Sequence, residues 1–182
     1  MTHDAGQLLI ASPHLGDQNF RQTVVLLIES SDEGTLGLIL NRDSDRPITE
    51  LWEAVFQHGC SSRQTLRVGG PVFGPLMALH TQRSLAELEV FPGLYFSTDK
   101  NHLEVLVEEN LEPYNLFVGN AGWGRQQLAG EIDQGAWLLL PATRELVFSD
   151  PTDLWKQTLQ LAGSRILSDI LQRPLPDDPV AN

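Results

Sequence analysis

The stretch Thr23-Val24-Val25-Leu26-Leu27-Ile28-Glu29-Ser30-Ser31-Asp32-Glu33-Gly34-Thr35-Leu36-Gly37-Leu38-Ile39-Leu40 decides the fold. Two apolar runs, Thr23 to Ile28 and Thr35 to Leu40, flank a polar segment that ends in glycine, which reads as a β-hairpin. Both runs are apolar on successive residues instead of alternating, so each strand is expected to be covered on two faces. Upstream, Leu8 to Ala11 reads as a short strand closed by Ser12-Pro13. Downstream, Ile48, Leu51, Trp52, Val55 and Phe56 form one apolar stripe at helical period, predicting a helix from about Pro47 to Gln57.

Further out, strands are expected at Leu66 to Val68, Leu76 to Leu79, Leu94 to Phe96, Tyr114 to Val118 and Trp137 to Leu140, with Glu145 to Phe148 pairing with the last. A helix capped by Ser97 or Thr98 should cover Lys100 to Asn110, and another should run from Arg125 to Gln134, stopped by Gly135. Asp150-Pro151 is an N-cap followed by proline in the first turn, and Gly163 should break the chain before a last short helix. Strands and helices mix without regular alternation. The expected class is therefore α+β, a single domain with a mixed, barrel-like β-sheet flanked by helices. Residues 1–6 read as a mobile N-terminal arm, 7–173 as the domain, and 174–182, with three prolines and two aspartates, as a disordered C-terminal tail.

Composition excludes several functions. The 182 residues carry 12 Lys plus Arg against 24 Asp plus Glu, a formal net charge of −12. Nucleic-acid affinity rests on clustered cations, and Arg21, Arg42, Arg46, Arg63, Arg67 and Arg83 are scattered along the chain, so direct nucleic-acid binding is not expected. No apolar run approaches the roughly 20 residues that cross a bilayer, and the N-terminus lacks a signal-peptide pattern. With the single cysteine Cys60, this favours a cytoplasmic setting. There is no G-x-S-x-G elbow, no H-E-x-x-H and no P-loop. His58-Gly59-Cys60 is the nearest approach to a ligand pair, and two ligands do not make a zinc site. No metal and no cofactor is expected.

Four segments resemble the YqgE/AlgH family: Leu9-Ile10-Ala11-Ser12-Pro13 with Asp17 and Phe20-Arg21-Gln22-Thr23-Val24-Val25; Gly34 through Asn41-Arg42; Gly69-Gly70-Pro71-Val72 with Leu79-His80; and Gly119 through Trp123-Gly124, continuing to Gln127-Leu128, Glu131-Ile132 and Trp137-Leu138. Their order and spacing span most of the chain from Gln7 to Gly163. The resemblance implies an α+β fold around a barrel-like sheet in a largely uncharacterised bacterial family. Some of its members carry a transcriptional-regulator label without a recognised DNA-binding motif.

The candidate ligand-binding residues are Gly70, Pro71, His80, Gly122, Trp123, Gly124 and Glu131. Gly119 to Gly124 reads as a strand-to-helix loop, where glycines allow close backbone approach and a helix N-terminus offers N–H donors beside the Trp123 wall. The competing reading has Trp123 plugging the core and the glycines making a tight turn. Glu131 lies one helical turn from Gln127 and reads either as a buried carboxylate near Arg42 or His80 or as an exposed, solvated one. His80 follows an apolar strand as a general base or a hydrogen-bonded histidine at a strand end, and Asn41-Arg42 could clamp a carboxylate or form a turn with a surface arginine. The leading function is a non-catalytic binding or regulatory protein acting on a protein or small-molecule partner. An enzyme of unfamiliar class with its site near Gly119 to Gly124 is the alternative, and a direct DNA-binding regulator stands third, against the acidic charge.

Overall fold

The computed structural model describes residues 5–60, 62, 64–124 and 126–172, so the expected tail at 174–182 and most of the expected N-terminal arm lie outside the described residues. The hairpin forms as read: β2 (Val24–Ser30) pairs antiparallel with β3 (Thr35–Ile39), with a bulge between Leu27 and Glu29. Around it, β1 (Gln7–Ala11), β9 (Ala121–Trp123) and β10 (Trp137–Pro141) complete a five-stranded sheet in the order β10-β1-β2-β3-β9, antiparallel throughout. A second sheet contains β4 (Arg67–Val68), β5 (Met77–His80), β6 (Leu88–Phe91), β7 (Leu94–Ser97) and β8 (Tyr114–Val118), in the order β4-β8-β5-β7-β6. It is mixed, since β4 runs parallel to β8 and the other pairs are antiparallel. The molecule is α+β, and its strands divide between two open sheets rather than closing into one barrel.

The consecutive apolar residues of the hairpin are explained by this layering. Leu8, Ile10, Val24, Leu26, Ile28 and Leu38 point into a core shared with Met77, Leu79, Leu94, Phe96 and Phe117 of the second sheet. Their neighbours Leu9, Val25, Leu27 and Ile39 point the other way, into a cluster with Trp123, Leu128 and Trp137. Successive strand residues face opposite sides, so two covered faces demand apolar residues at every position. The outer face of the second sheet is covered by α1 (Ile48–Phe56) and α2 (Lys100–Glu108), which pack Trp52, Leu103 and Leu106 against Ala78, Tyr114 and Leu116. Gly6, at the end of the expected arm, is buried and tied at both backbone groups, its N–H to the Leu27 carbonyl and its carbonyl to the Ala142 N–H.

The two sheets meet where Gly69-Gly70 crosses Gly119-Asn120. Ile39 of the first sheet donates to the Gly69 carbonyl, and the Gly69 N–H donates to Val118 of the second. A Cβ at Gly70 (φ +154°) would stand 2.2 Å from the Asn120 carbonyl carbon, and one at Gly119 (φ +69°) 2.5 Å from the Gly70 oxygen. Only glycine permits this backbone-on-backbone approach.

Several local expectations are corrected. Ala121 to Trp123 is a strand rather than part of a strand-to-helix loop, because its backbone is taken up by β3. Glu145 to Phe148 does not form a strand: Arg144–Val147 is a short helix, α4, whose first turn is capped by the Thr143 hydroxyl accepting from the Leu146 N–H. The cap of α2 is Asp99, whose carboxylate accepts from Asn101 and His102, since β7 continues through Ser97. Strand β6 is missing from the sequence reading, although Pro92-Gly93 marks its turn into β7. Gly163 does not break the last helix: α5 runs from Pro151 to Gln172. A mid-helix glycine costs only about 1 kcal/mol, and Leu154, Leu159 and Ala162 hold the first half of the helix on the shared core. Beyond it Ile166, Leu167, Ile170 and Leu171 are exposed.

Trp52 is fully buried and stacks on Phe56 with ring centroids 4.0 Å apart, yet its Nε1–H has no partner among the described residues. Trp52→Ala should therefore lose about 3–5 kcal/mol. Trp52→Phe keeps much of the ring packing and removes the unsatisfied donor, so it should cost far less. Urea unfolding midpoints of the two variants, compared with wild type, check this ordering.

Candidate functional site

Gly122, Trp123, Gly124 and Glu131 are brought together, and the contact that joins them is structural in kind. Helix α3 (Gln127–Asp133) presents Glu131 beneath two indoles, and its Oε2 accepts from Trp123 Nε1 at 3.0 Å and Trp137 Nε1 at 2.8 Å. Glu131 Oε1 accepts from Gln127 Nε2 at 2.9 Å, and Gln127 Oε1 accepts the Gly124 N–H at 3.1 Å. Phe20 stacks on Trp123 at 5.7 Å and meets Trp137 edge-on at 5.5 Å. Trp123 is 4 % exposed, its ring is held on all these sides, and the nearby N–H of Gly124 is already used. An open depression of about 480 Å³ borders the outer edge of Gly122 to Gly124, with Glu29 and Glu33 on its opposite rim. Gly70 is buried at the sheet crossing beside Asn120, and Pro71 is exposed next to it. Replacing Glu131 with alanine strands two indole donors, and a loss of roughly 3 kcal/mol in a chemical denaturation experiment is expected.

His80 stands apart from this group. It pairs with Tyr114 at the start of β8, whereas Gly119 follows that strand's far end. Its ring is fully buried. The Gln82 N–H donates to Nδ1 at 3.2 Å, so Nε2 carries the proton and donates to Ser97 Oγ at 3.0 Å; the Ser97 hydroxyl in turn donates to the Leu85 carbonyl. Burial, with His102 nearby, pushes the imidazole down to about 4. Of the two readings it is therefore the hydrogen-bonded histidine at a strand end, here buried in the core and neutral at physiological pH. The unfolded chain takes up a proton near 6.5 while the folded one resists until about 4. Stability is then whole above pH 6.5 and falls as pH drops toward 4, by about 3 kcal/mol for this group. The difference in unfolding free energy between wild type and His80→Gln, followed from pH 7.5 to pH 4.5, should shrink on acidification by an amount of this order.

The chain also builds a cleft that the seven candidate residues do not touch. Its walls are Arg21 to Thr23, entering β2; Asn41 to Asp43, leaving β3; and Pro151, Thr152, Trp155 and Lys156 from the first turns of α5. The cleft is open to solvent and has a volume of about 310 Å³. Antiparallel pairing of β2 with β3 forces the first two segments together, and Asn41 locks them: its Oδ1 accepts the Val24 N–H at 2.8 Å and its Nδ2 donates to the Gln22 carbonyl at 2.9 Å. Gln22 is held at φ +54°, a left-handed conformation uncommon outside glycine. Arg42 Nη1 donates to the Asn19 carbonyl at 2.7 Å, and Trp155 Nε1 donates to the Ala11 carbonyl at 2.8 Å. Asp150 caps α5 by accepting the Thr152 N–H at 2.8 Å, as the Asp150-Pro151 signature implied.

Charge gathers in this cleft. Arg21, Arg42 and Lys156 line it, with Asp43 as the acidic member of the lining. Among the described residues, no carboxylate lies within 4.0 Å of the side-chain nitrogens of these three cations. Beside it, the Arg67 guanidinium is 8 % exposed and donates to the Leu40 carbonyl at 2.8 Å. Burial lowers the pKa of Arg67, and Asp43 and Asp150 oppose that shift. Asp150 is held below the usual carboxylate range by its hydrogen bonds to Thr152 and, more weakly, by Arg67.

Two sandwiched sheets, helices on their outer faces and a cation-lined cleft at the mouth of the central hairpin define this α+β protein. The chain belongs to the AlgH-like family, which it matches over residues 8–167. A UPF0301 protein of Thermobifida fusca is 37% identical over 97% of this chain and 94% of its own length. One from Chlorobaculum parvum is 34% identical over 87% of each. The solution structure of the AlgH protein from Pseudomonas aeruginosa superposes with a TM-score of 0.74 at 29% identity, covering 95% of both chains. A crystal structure of a protein from Corynebacterium diphtheriae shares the fold, with a TM-score of 0.71 at 23% identity over 96% of this chain and 89% of that one.

Proposed function

We propose that this protein is a non-catalytic binding or regulatory protein of the cytoplasm, and that the cleft between the hairpin mouth and α5 takes a small ligand bearing a phosphate or carboxylate. The observation that carries the reading is the gathering of Arg21, Arg42 and Lys156 around one cleft in a chain whose net charge is −12. Cations gathered in one cleft raise a local positive potential on an otherwise acidic surface, and these three have no carboxylate within 4.0 Å among the described residues. Arg42 is pre-oriented by its bond to Asn19, so a planar anion meets a guanidinium that has already lost part of its freedom. The half-buried Trp155 supplies an apolar wall beside the charges.

The same charge balance disfavours duplex DNA as the partner, since a patch of three cations within an acidic surface neutralises few phosphates. Among the described residues no helix is long and apolar enough to cross a membrane.

Thermal unfolding in the presence of inorganic phosphate, citrate and a panel of nucleoside monophosphates tests the reading. At least one should stabilise the protein, by about 2.7 kcal/mol once present at a hundred times its dissociation constant. The Arg42→Gln, Lys156→Gln double variant should lose that response while unfolding normally without ligand. A panel without effect, or an effect the double variant retains, rejects the cleft as the site.

A further inference from the structure

The layer of helices covering the second sheet carries a group of side chains that the cleft does not involve. His58 follows α1, and Glu104 and Glu108 sit four residues apart on α2, on one helix face. One ligand atom from each lies within 4.8 Å of the other two, and His58 Nε2 is 2.6 Å from Glu104 Oε1. We propose that these three side chains form a binding site for a borderline divalent transition metal, with zinc the preferred ion.

The chemistry of the donor set supports this assignment. One imidazole and two carboxylates suit zinc and its neighbours better than magnesium or calcium, which favour all-oxygen shells. The orientation of the histidine is the second observation. Its Nδ1 lies 3.0 Å from the Gly59 carbonyl and its Nε2 2.6 Å from Glu104 Oε1, so both nitrogens donate in the metal-free protein. Nδ1 fixes the ring on the backbone, and an ion at Nε2 takes the place of the proton shared with Glu104. Metal-binding histidines are commonly fixed in this way, with one ring nitrogen bonded to a carbonyl or carboxylate and the other presented to the ion. The backbone arranges it: Gln57, at φ +63°, ends α1 with its N–H on the Glu53 carbonyl and turns the chain so that His58 faces α2.

The geometry needs little adjustment. Donors around a tetrahedral zinc at about 2.0–2.2 Å stand roughly 3.4 Å from one another, so the His58–Glu104 contact must widen while Glu108 swings inward. All three are surface side chains with rotamer freedom, His58 being 42% and Glu104 35% exposed. Three protein ligands leave a fourth position for water. The cation also neutralises two carboxylates of a strongly acidic chain, and it fastens the segment after α1 to α2.

Calorimetric titration of the untagged full chain with zinc chloride, in a buffer that does not chelate, tests the proposal. One zinc per chain is expected, in the micromolar range, with a matching rise in melting temperature. Glu108→Gln leaves the His58–Glu104 contact in place and should weaken binding by at least about tenfold, and His58→Gln should weaken it further. Both variants should unfold like wild type when no zinc is added, which separates loss of a ligand from loss of the fold. Cys60→Ser should bind as wild type does. Absence of saturable zinc binding, binding that either Glu108→Gln or His58→Gln leaves unchanged, or binding lost in Cys60→Ser overturns the proposal.

Discussion

Everything in this fold depends on two stretches of backbone passing without side chains between them. At the crossing of Gly69-Gly70 with Gly119-Asn120 the chain leaves the second sheet after β8 and enters the first as β9, while Gly69 hydrogen-bonds to both sheets. A Cβ at Gly70 or Gly119 would lie well inside van der Waals contact of the other strand. The crossing sets how the two sheets face each other, and so how the apolar residues of the hairpin meet those of the second sheet in the shared core. It also delivers Trp123 to the outer face of the first sheet, where the indole closes a second core with Phe20, Trp137 and the bridging carboxylate of Glu131.

The sequence displays the elements of this architecture more readily than their arrangement. Val24 to Ile28 and Leu36 to Leu40 announce two-sided burial because no alternation interrupts them, and the stripe from Ile48 to Phe56 announces a helix because its period is unmistakable. Ala121 to Trp123 looks like loop because glycines flank it, and only its partner β3 makes it a strand. Arg144 to Val147 could be strand or helix on composition, and the hydroxyl of Thr143 tips it to helix. Of the candidate residues, Trp123 and Glu131 are in contact, and Glu131 is a part-buried acceptor for two indoles rather than a solvated carboxylate, which no spacing in the chain shows. His80 belongs to the other end of the second sheet, a separation that no spacing in the chain reveals.

The cleft was partly legible and still absent from the seven candidates. Once Thr23 to Leu40 is taken as a hairpin, the residues before its first strand must lie beside those after its second, which places Arg21 near Asn41-Arg42. Lys156 and Trp155 come from α5, far along the chain, and their arrival follows from how that helix docks on the first sheet. The three-ligand cluster has the same character. His58 and the pair Glu104 and Glu108 are distant in sequence, and neither half hints at the other until α1 and α2 are laid side by side on the second sheet.

Helix α5 is continuous from Pro151 to Gln172, but its two halves have different sources of stability. The first is clamped by Leu154, Leu159 and Ala162 in the shared core and by the Trp155 indole on Ala11. The second shows Ile166, Leu167, Ile170 and Leu171 to solvent. A helical segment of about 10 residues without tertiary packing is marginal by itself in water. The second half is therefore helical because the first is, with a seed of ordered turns already in place. Propagation from that seed makes the far end a reporter of the near one: whatever loosens the helix at the cleft removes the template on which its last turns are wound.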